Sequence, residues 1–194
     1  TIMDFTDTPQ EAEYRAKVRA FLSANAEKKE PGKLFAKQYG EEGLVPLAKE
    51  WQAKKYAAGF AGITMTAEYG GQALTAIEQV IYNQEEANYL LPRGAYEIGL
   101  GMCIPTMLTY ATEEQKQRFA PPALKGEEIW CQLFSEPAGG SDVANAKMRA
   151  VRDGDDWIIN GQKIWTSGAH FSDWGVIVLR TDPSVPKHKG LSFF

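Results

Sequence analysis

The spacing of apolar residues divides this 194-residue sequence into two parts. In the first part, up to about residue 125, apolar positions recur every three or four residues, as on a helix with one buried face. Three segments carry a capping box, a helix-start motif in which threonine is followed three residues later by glutamate or glutamine. The capping threonines are Thr8, Thr75 and Thr112. A further helix, with apolar positions from Leu44 to Trp51, is expected to stop at Gly59. The pattern predicts an all-α domain over residues 1–126.

Beyond residue 126 the pattern changes to short apolar runs separated by turn residues. Asp153-Gly154 and Asn160-Gly161 are residue pairs that tolerate the positive φ angles of two-residue hairpin turns, so three antiparallel strands are expected around residues 145–166. The apolar run at 173–180 predicts another strand, buried on both faces. The predicted fold is α+β: an N-terminal all-α helical domain followed by an antiparallel β-barrel or sandwich domain over residues 127–194.

The sequence ends on GLSFF, where an apolar strand starts with no turn or polar ending behind it. An open edge of this kind exposes unpaired backbone groups and large apolar side chains, which intact domains avoid. We therefore expect a β-domain that is incomplete at its C-terminus, in a chain that is a fragment.

Charge and composition restrict the possible partners and location. The formal net charge of -4 and the lack of basic runs favour neither nucleic acid nor an anionic membrane surface. The most apolar run, residues 98–111, is interrupted by glycine and proline and is shorter than a membrane span. Cys103 and Cys131 lie in apolar surroundings, which suits free buried thiols in a reducing compartment. No signal peptide precedes Asp4, so a cytoplasmic location, the bacterial cytosol or its mitochondrial-matrix equivalent, is expected.

Several familiar motifs are absent or incomplete. Gly99 and Gly101 imitate the start of a dinucleotide-binding fingerprint, but the third glycine is missing and the flanking residues have a helical pattern. With two histidines in the whole sequence, no histidine-rich metal site is expected. His170 is interpreted as an exposed loop residue rather than a member of a catalytic triad. Cys131 has no cationic neighbour that would activate it, so a core thiol is preferred to a nucleophile.

The segment SEPAGGSD, residues 135–142, follows an apolar strand and is the first candidate binding element. Gly139 and Gly140 allow backbone conformations that other residues avoid, and they let a ligand approach the main chain closely. Successive amides in such a turn can converge on an anion, and Ser141 adds a hydroxyl donor. This composition suits a phosphate-bearing ligand, although a turn without any ligand stays open from these residues alone.

Two walls of mixed polarity are expected beside this turn. The preceding strand presents Gln132, Phe134 and Ser135, which combine an apolar surface with groups able to orient a heterocycle. A second strand end carries Trp165, Thr166 and Ser167. The other four tryptophans, Trp51, Trp130, Trp157 and Trp174, are expected in the core. An aromatic flank, nearby hydrogen-bonding groups and a phosphate cradle together suit a large planar cofactor with a pyrophosphate tail.

The two segments CQLFSEPAGGSDVANA and DDWIINGQKIWTSGA resemble the two signature segments of the acyl-CoA dehydrogenase family. The helices that end in EYGG resemble the N-terminal helical domain of that family. The resemblance implies an N-terminal α-helical domain, a middle β-domain and a C-terminal four-helix bundle that this sequence lacks, with FAD between the β-domain and the bundle.

By motif position, the resemblance also implies which residues bind the cofactor. These residues are Gln132, Phe134, Ser135, Gly140, Ser141, Trp165, Thr166 and Ser167. Ser135 would lie near the pyrimidine edge of the flavin, Trp165 against its ring, and Ser167 near N5. Gly140 and Ser141 would meet the pyrophosphate, and Ser141 would also touch the acyl-CoA substrate. Family members usually have threonine at the positions of Ser135 and Ser167, and serine keeps the hydroxyl donor.

The activity implied is α,β-dehydrogenation of an acyl-CoA thioester to a 2-enoyl-CoA, as in fatty-acid β-oxidation. A glutamate removes the α-proton and hydride passes to flavin N5. That glutamate is expected beyond Phe194, so no catalytic residue is assigned here and a fragment alone is expected to be inactive. Glu136 and Asp142 are interpreted as carboxylates that stabilise the turn. The implied partners are electron-transfer flavoprotein and further copies of the chain, in a homotetramer or homodimer.

Three alternatives remain on the same architecture. Acyl-CoA oxidases and flavin monooxygenases would let the reduced flavin meet oxygen. The third is a non-catalytic flavin-binding or DNA-binding relative, against which the acidic net charge argues. The segment ITMTAEYGG also lacks the Trp-Pro that often precedes the glycine pair, which leaves the subfamily open.

Overall fold

A computed structural model of the protein describes residues 6–34 and 43–194. The helices of the first part are α1 (Pro9–Asn25), α2 (Leu44–Ala57), α3 (Ala76–Glu86), α4 (Ile104–Tyr110) and α5 (Glu113–Lys125). A π-helical turn, Gly99–Cys103, leads into α4, and a 3-10 turn, Ala67–Tyr69, precedes α3. A short two-stranded ribbon, β1 (Glu27–Lys28) with β2 (Tyr89–Leu90), joins the end of α1 to the segment after α3.

The helix boundaries follow the local signals of the sequence. All three predicted capping boxes are formed, at Thr8, Thr75 and Thr112. At Thr8, for example, the backbone amide donates to Glu11 Oε2 at 2.7 Å, and the hydroxyl accepts from the Glu11 amide at 3.3 Å. Helix α2 ends at Ala57, and Gly59 follows in the left-handed region with φ of +78°, as predicted. On α1, Val18 and Leu22 are fully buried against an aromatic cluster around Phe60 and Tyr82.

The second part forms a five-stranded sheet. Its strands are β3 (Trp130–Leu133), β4 (Arg149–Asp153), β5 (Asp156–Asn160), β6 (Trp174–Arg180) and β7 (Leu191–Phe193). The order is β3-β6-β4-β5, with β7 paired to β6. The predicted α+β organisation, helices first and sheet second, is confirmed. Strand β6 is buried on both faces around Val178 and Leu179, also as predicted.

The sheet is mixed rather than purely antiparallel. Strands β4 and β5 form the predicted hairpin through Gly154, whose φ is +62°, and β6 and β7 are also antiparallel. Strand β6, however, runs parallel to both β3 and β4, with Trp130 opposite Trp174. The sequence interpretation of an all-antiparallel domain was wrong here because parallel pairing depends on a long crossover, which local turn signals do not reveal.

The predicted third strand of the meander is not formed. After β5 the chain turns at Gly161, whose φ is +139°, and residues 162–166 form no strand. A Cβ on Gly161 would lie 2.6 Å from Met148 Cγ, so the chain passes closely over Met148 instead of folding back along β5. The Ile164 amide then donates to the Ser135 carbonyl at 2.9 Å. This second turn therefore brings the Trp165 segment to the end of β3.

The helices and the sheet share one core cluster, which includes Cys103, Ile104, Trp130 and Val176. A Cβ on Gly99 would lie 3.1 Å from Trp130 Cβ, so the π-helical turn packs directly on β3. Cys103 and Cys131 are both buried free thiols, as predicted. Trp157 and Trp174, predicted in the core, are 38% and 41% exposed. Across the two described stretches of chain, no helix is both long and apolar enough to span a membrane.

Candidate functional site

A tight turn follows strand β3. Glu136 and Gly139 exchange both backbone hydrogen bonds, at 2.9 and 3.0 Å, so Pro137 and Ala138 form the corner. Neither Gly139 nor Gly140 has a positive φ, so the turn does not use the left-handed conformation that glycine allows. A Cβ on Gly140 would lie 3.2 Å from Ser135 Oγ, so close approach of the chain to Ser135 is what favours glycine there.

The residues after this turn leave several donors free. Gly140 and Ser141 are exposed, and neither their amides nor the Ser141 hydroxyl hydrogen-bonds within residues 6–34 and 43–194. Directly after them, the Asp142 carboxylate pairs with Lys187 Nζ at 2.7 Å, which brings a cation beside the free amides. Adjacent free amides, a hydroxyl and a nearby ammonium group can bind an oxyanion such as a diphosphate.

The buried side chain of Glu136 holds this turn in place. Its side chain is 7% exposed and accepts three hydrogen bonds, from the Lys147 amide at 2.6 Å, the Met148 amide at 3.0 Å and Lys163 Nζ at 2.8 Å. Burial by itself raises the pKa of Glu136, but these hydrogen bonds outweigh it and hold the pKa below the usual value of 4.5. The sequence interpretation of Glu136 as a turn-stabilising carboxylate is confirmed; Asp142 instead pairs with a side chain.

The second segment presents Trp165 to solvent. Its side chain is 87% exposed, and its backbone lies in the left-handed region with φ of +56°. That conformation is uncommon for a residue other than glycine and is typical of ligand-binding and active sites. The chain then closes a turn in which the Ala169 amide donates to the Thr166 carbonyl at 3.2 Å. An indole ring held this way offers a free apolar face to a planar ligand.

The structure brings the two predicted segments together. Lys163 Nζ donates to the Phe134 carbonyl at 3.1 Å, and the Ile164 amide bonds to the Ser135 carbonyl, so residues 134–136 and 163–165 run side by side. Phe134 packs against the core cluster shared by helices and sheet. Within the described residues, four side-chain polar groups of the two segments make no hydrogen bond: those of Gln132, Ser135, Thr166 and Ser167. Unpaired donors and acceptors beside an exposed indole fit the ring edge of a flavin.

Lys163 was missed by the sequence interpretation. Its side chain is 3% exposed, and a buried lysine requires an acidic partner. The available signal was a lone lysine between Ile159 and Trp165 in an otherwise uncharged stretch. The exposed position predicted for His170 is confirmed. Burial raises the pKa of the Cys131 thiol, which agrees with its interpretation as a core residue.

A cavity of about 800 Å³ lies in the helical part. Its apolar wall includes Met65, Leu100 and Leu108, which pack against the same core cluster as Phe134. Polar groups enter from α2 and α3, where Glu86 accepts from Lys55 at 3.2 Å and from the Tyr82 hydroxyl at 3.0 Å. The sequence did not reveal this cavity because its walls come from segments far apart in the chain.

A second, basic cavity of about 320 Å³ lies beside the Asp142–Lys187 pair. Its cationic lining consists of Lys147, Arg149, Arg180 and Lys187. Arg180 is held rigidly, because its guanidinium donates to the carbonyls of Ala144, Ala146 and Lys187 at 2.6 to 2.9 Å. This positive surface is next to the free amides after the Glu136 turn and adds to its suitability for phosphate groups.

Comparisons with known proteins agree with this arrangement. The sequence matches the family models described as acyl-CoA dehydrogenase, N-terminal domain, over residues 8–127 and acyl-CoA dehydrogenase, middle domain, over residues 131–194. It is 37% identical over 186 residues to acyl-CoA dehydrogenase IpdE1 of Mycobacterium tuberculosis, covering 93% of this chain and 47% of that protein.

Solved structures give the same result. The structure of the Tcur3481-Tcur3483 steroid ACAD superposes with a TM-score of 0.77 at 34% identity, covering 98% of this chain and 48% of that one. A glutaryl-CoA dehydrogenase from Mycobacterium smegmatis, in complex with FADH2, superposes with a TM-score of 0.65 at 26% identity, covering 91% and 44%. The chain thus spans about half the length of these relatives. With both family models matched over most of its length, the chain belongs to the acyl-CoA dehydrogenase family.

Proposed function

We propose that this chain contributes the helical and middle β-domains, residues 1–126 and 127–194, of an FAD-dependent acyl-CoA dehydrogenase. The reaction is α,β-dehydrogenation of an acyl-CoA thioester to a 2-enoyl-CoA, in fatty-acid or related acyl-CoA catabolism. The observation that carries the proposal is the pair of adjacent segments at Ser135 and Trp165, which combine unpaired polar groups with an exposed indole.

FAD supplies the electron-accepting chemistry when bound. Trp165 covers one face of the ring system, while Gln132, Phe134 and Ser135 line its edge on the neighbouring segment. Thr166 and Ser167 donate hydrogen bonds from the turn after Trp165, and the amides of Gly140 and Ser141 bind the diphosphate. The structural relative glutaryl-CoA dehydrogenase, which was solved in complex with FADH2, supports this choice of cofactor.

No described acid is assigned as the general base. Glu136 is buried in an ion pair with Lys163, and Asp142 is paired with Lys187, so neither is free to take a substrate proton. We assign the base to a glutamate outside this sequence, in the part of the relatives that the chain does not span. This chain would then orient cofactor and substrate while another segment removes the α-proton.

We assign the acyl group and the CoA portion of the substrate to two different cavities. The acyl group enters the 800 Å³ cavity of the helical part, whose volume suits a bulky acyl group, in agreement with the steroid ACAD among the structural relatives. Ser141 and the basic cavity around Lys187 bind the phosphorylated CoA portion. Lys187→Ala should therefore weaken CoA binding several-fold at low salt, and the difference should shrink as salt rises. An unchanged CoA dissociation constant would contradict this placement.

We further propose electron-transfer flavoprotein as the electron acceptor, a homotetramer or homodimer as the assembly, and a cytoplasmic location. The alternative is an oxidase or monooxygenase on the same fold. After anaerobic reduction by substrate, a dehydrogenase is reoxidised quickly by electron-transfer flavoprotein and slowly by air, whereas an oxidase shows the reverse order.

The deciding experiment uses the full-length protein. It should be yellow as purified or take up added FAD, and anaerobic acyl-CoA should bleach its visible absorbance while a 2-enoyl-CoA forms. The panel of esters should span short straight, long straight and steroid-ring acyl groups. A colourless protein that refuses FAD in titration would refute the proposed function, and rapid reoxidation by air alone would favour the oxidase.

A further inference from the structure

A buried ion pair joins the two segments of the candidate site. Lys163 and Glu136 are separated by 2.8 Å between Nζ and Oε1, and their side chains are 3% and 7% exposed. Isolated charges are rarely buried to this extent, because removal from water is strongly unfavourable unless partners replace the lost hydration. This pair has such partners on both members.

The hydrogen bonds of the pair all go to backbone groups at the site. Lys163 Nζ also donates to the Phe134 carbonyl, and the Glu136 carboxylate accepts the amides of Lys147 and Met148. The Glu136 carboxylate therefore joins three stretches of chain: the turn after β3, the residues leading into β4, and the residues before Trp165. The Ile164–Ser135 backbone hydrogen bond lies directly beside this junction.

The position of the pair distinguishes it from other ion pairs of the chain. Glu85 is comparably buried, at 8% exposed, and accepts from Arg15 and Arg19 at 2.9 Å, but it joins α1 to α3 on the helical side. Lys163 precedes Trp165 by two residues, and Glu136 directly follows Ser135. The pair therefore lies where the two segments meet.

We propose that Lys163 and Glu136 are positioning residues for FAD, which hold the Ser135 and Trp165 segments at the separation that the flavin requires. The proposal rests on the proposed function, since it presumes that FAD binds between these segments. Neither residue touches the cofactor; they act through the Phe134, Ser135 and Ile164 backbone. Outer-shell groups that orient metal ligands typically change metal affinity 10- to 100-fold when removed, and we expect an effect of similar size from groups that hold cofactor-binding segments in place.

The test is a double-mutant cycle on FAD affinity in the full-length protein. The variants are Glu136→Gln, Lys163→Met and the two combined, and each is titrated with FAD after removal of bound cofactor, at a temperature where circular dichroism shows it folded. Each single change should raise the FAD dissociation constant about 10-fold or more. The combined variant should be no worse than the singles, because residues that act as one unit are not additive.

Glu85→Gln is the matched control, since it removes the charge of an equally buried, ion-paired glutamate away from the site. It should lower the melting temperature and leave the FAD dissociation constant within about twofold of the wild type. If Glu136→Gln and Lys163→Met behave like this control, the pair is only structural and the proposal is overturned. Multiplicative effects in the combined variant would also overturn it.

A measurement on the wild type covers the case in which the variants fail to fold. Amide hydrogen exchange of the peptides containing Lys147, Met148 and Ile164 should slow several-fold on FAD binding, because the cofactor fixes the segments that these amides join. Equal exchange with and without FAD would overturn the proposal. A wild type that binds no FAD would instead refute the proposed function, so the two failures are distinguishable.

Discussion

Gly161 directs the chain from β5 towards Ser135, and its replacement by alanine tests whether close approach at this turn is required. Two unfavourable contributions add. A φ of +139° is strained for any L-residue by about 1 to 3 kcal/mol. The new Cβ would also lie 2.6 Å from Met148 Cγ and 2.9 Å from Met148 Cα, and overpacking of this kind is destabilising by about 1 to 3 kcal/mol. Gly161→Ala should therefore lower the free energy of unfolding by about 2 to 6 kcal/mol.

Gly154 offers a control in the neighbouring turn. It also has a positive φ, +62°, but a Cβ there would meet no atom within 4 Å. Gly154→Ala should thus show only the conformational contribution, about 1 to 2 kcal/mol. Guanidinium chloride unfolding, followed by tryptophan fluorescence at equal protein concentrations, measures both changes.

FAD affinity gives a second measurement that distinguishes the two variants. Because the segment from Trp165 to Ser167 begins shortly after the turn at Gly161, FAD affinity should fall for Gly161→Ala and stay unchanged for Gly154→Ala. Equal losses of stability in the two variants would refute the reasoning, since the contact with Met148 would then contribute nothing. A stable Gly161→Ala protein with normal FAD affinity would refute the assigned role of the turn.

Three further predictions concern Trp165, Glu136 and Cys103. Trp165→Ala should leave the free energy of unfolding within about 1 kcal/mol of the wild type, because Trp165 is 87% exposed. It should nevertheless raise the FAD dissociation constant at least about 10-fold in a fluorescence titration. Unchanged FAD affinity would contradict the role assigned to Trp165. The pKa of Glu136 is lowered on folding, so the stability that its carboxylate contributes is fully present above pH 4.5 and is lost as the pH falls through the pKa of the folded protein. When the free energy of unfolding is measured against pH, this acid-dependent contribution should be missing from Glu136→Gln. Burial raises the pKa of Cys103 to about 11, so a thiol reagent at pH 8 should modify this residue only after denaturation. Rapid modification of the native protein at Cys103 would contradict its burial.

The two segments of the candidate site could be recognised in the sequence because each carries short, local signals. Glycines, serines and a proline after an apolar strand mark a turn, and an aromatic residue followed by small hydroxylated residues marks a second one. The sequence therefore indicated Ser135, Gly140, Ser141 and Trp165 as candidates. It did not indicate that Trp165 adopts a positive φ, or that Lys163, two residues earlier, is buried.

The sequence by itself determined the helices and the first hairpin of this protein. A capping box, a stop glycine and an Asp-Gly turn each act over a few residues, so their physical effect is complete within the segment that contains them. Only the tertiary structure decided the parallel pairing of β6 with β3, the burial of Lys163 against Glu136, and the cavity of the helical part. Each of these joins residues that are distant in the chain, and such contacts form only when the whole core packs.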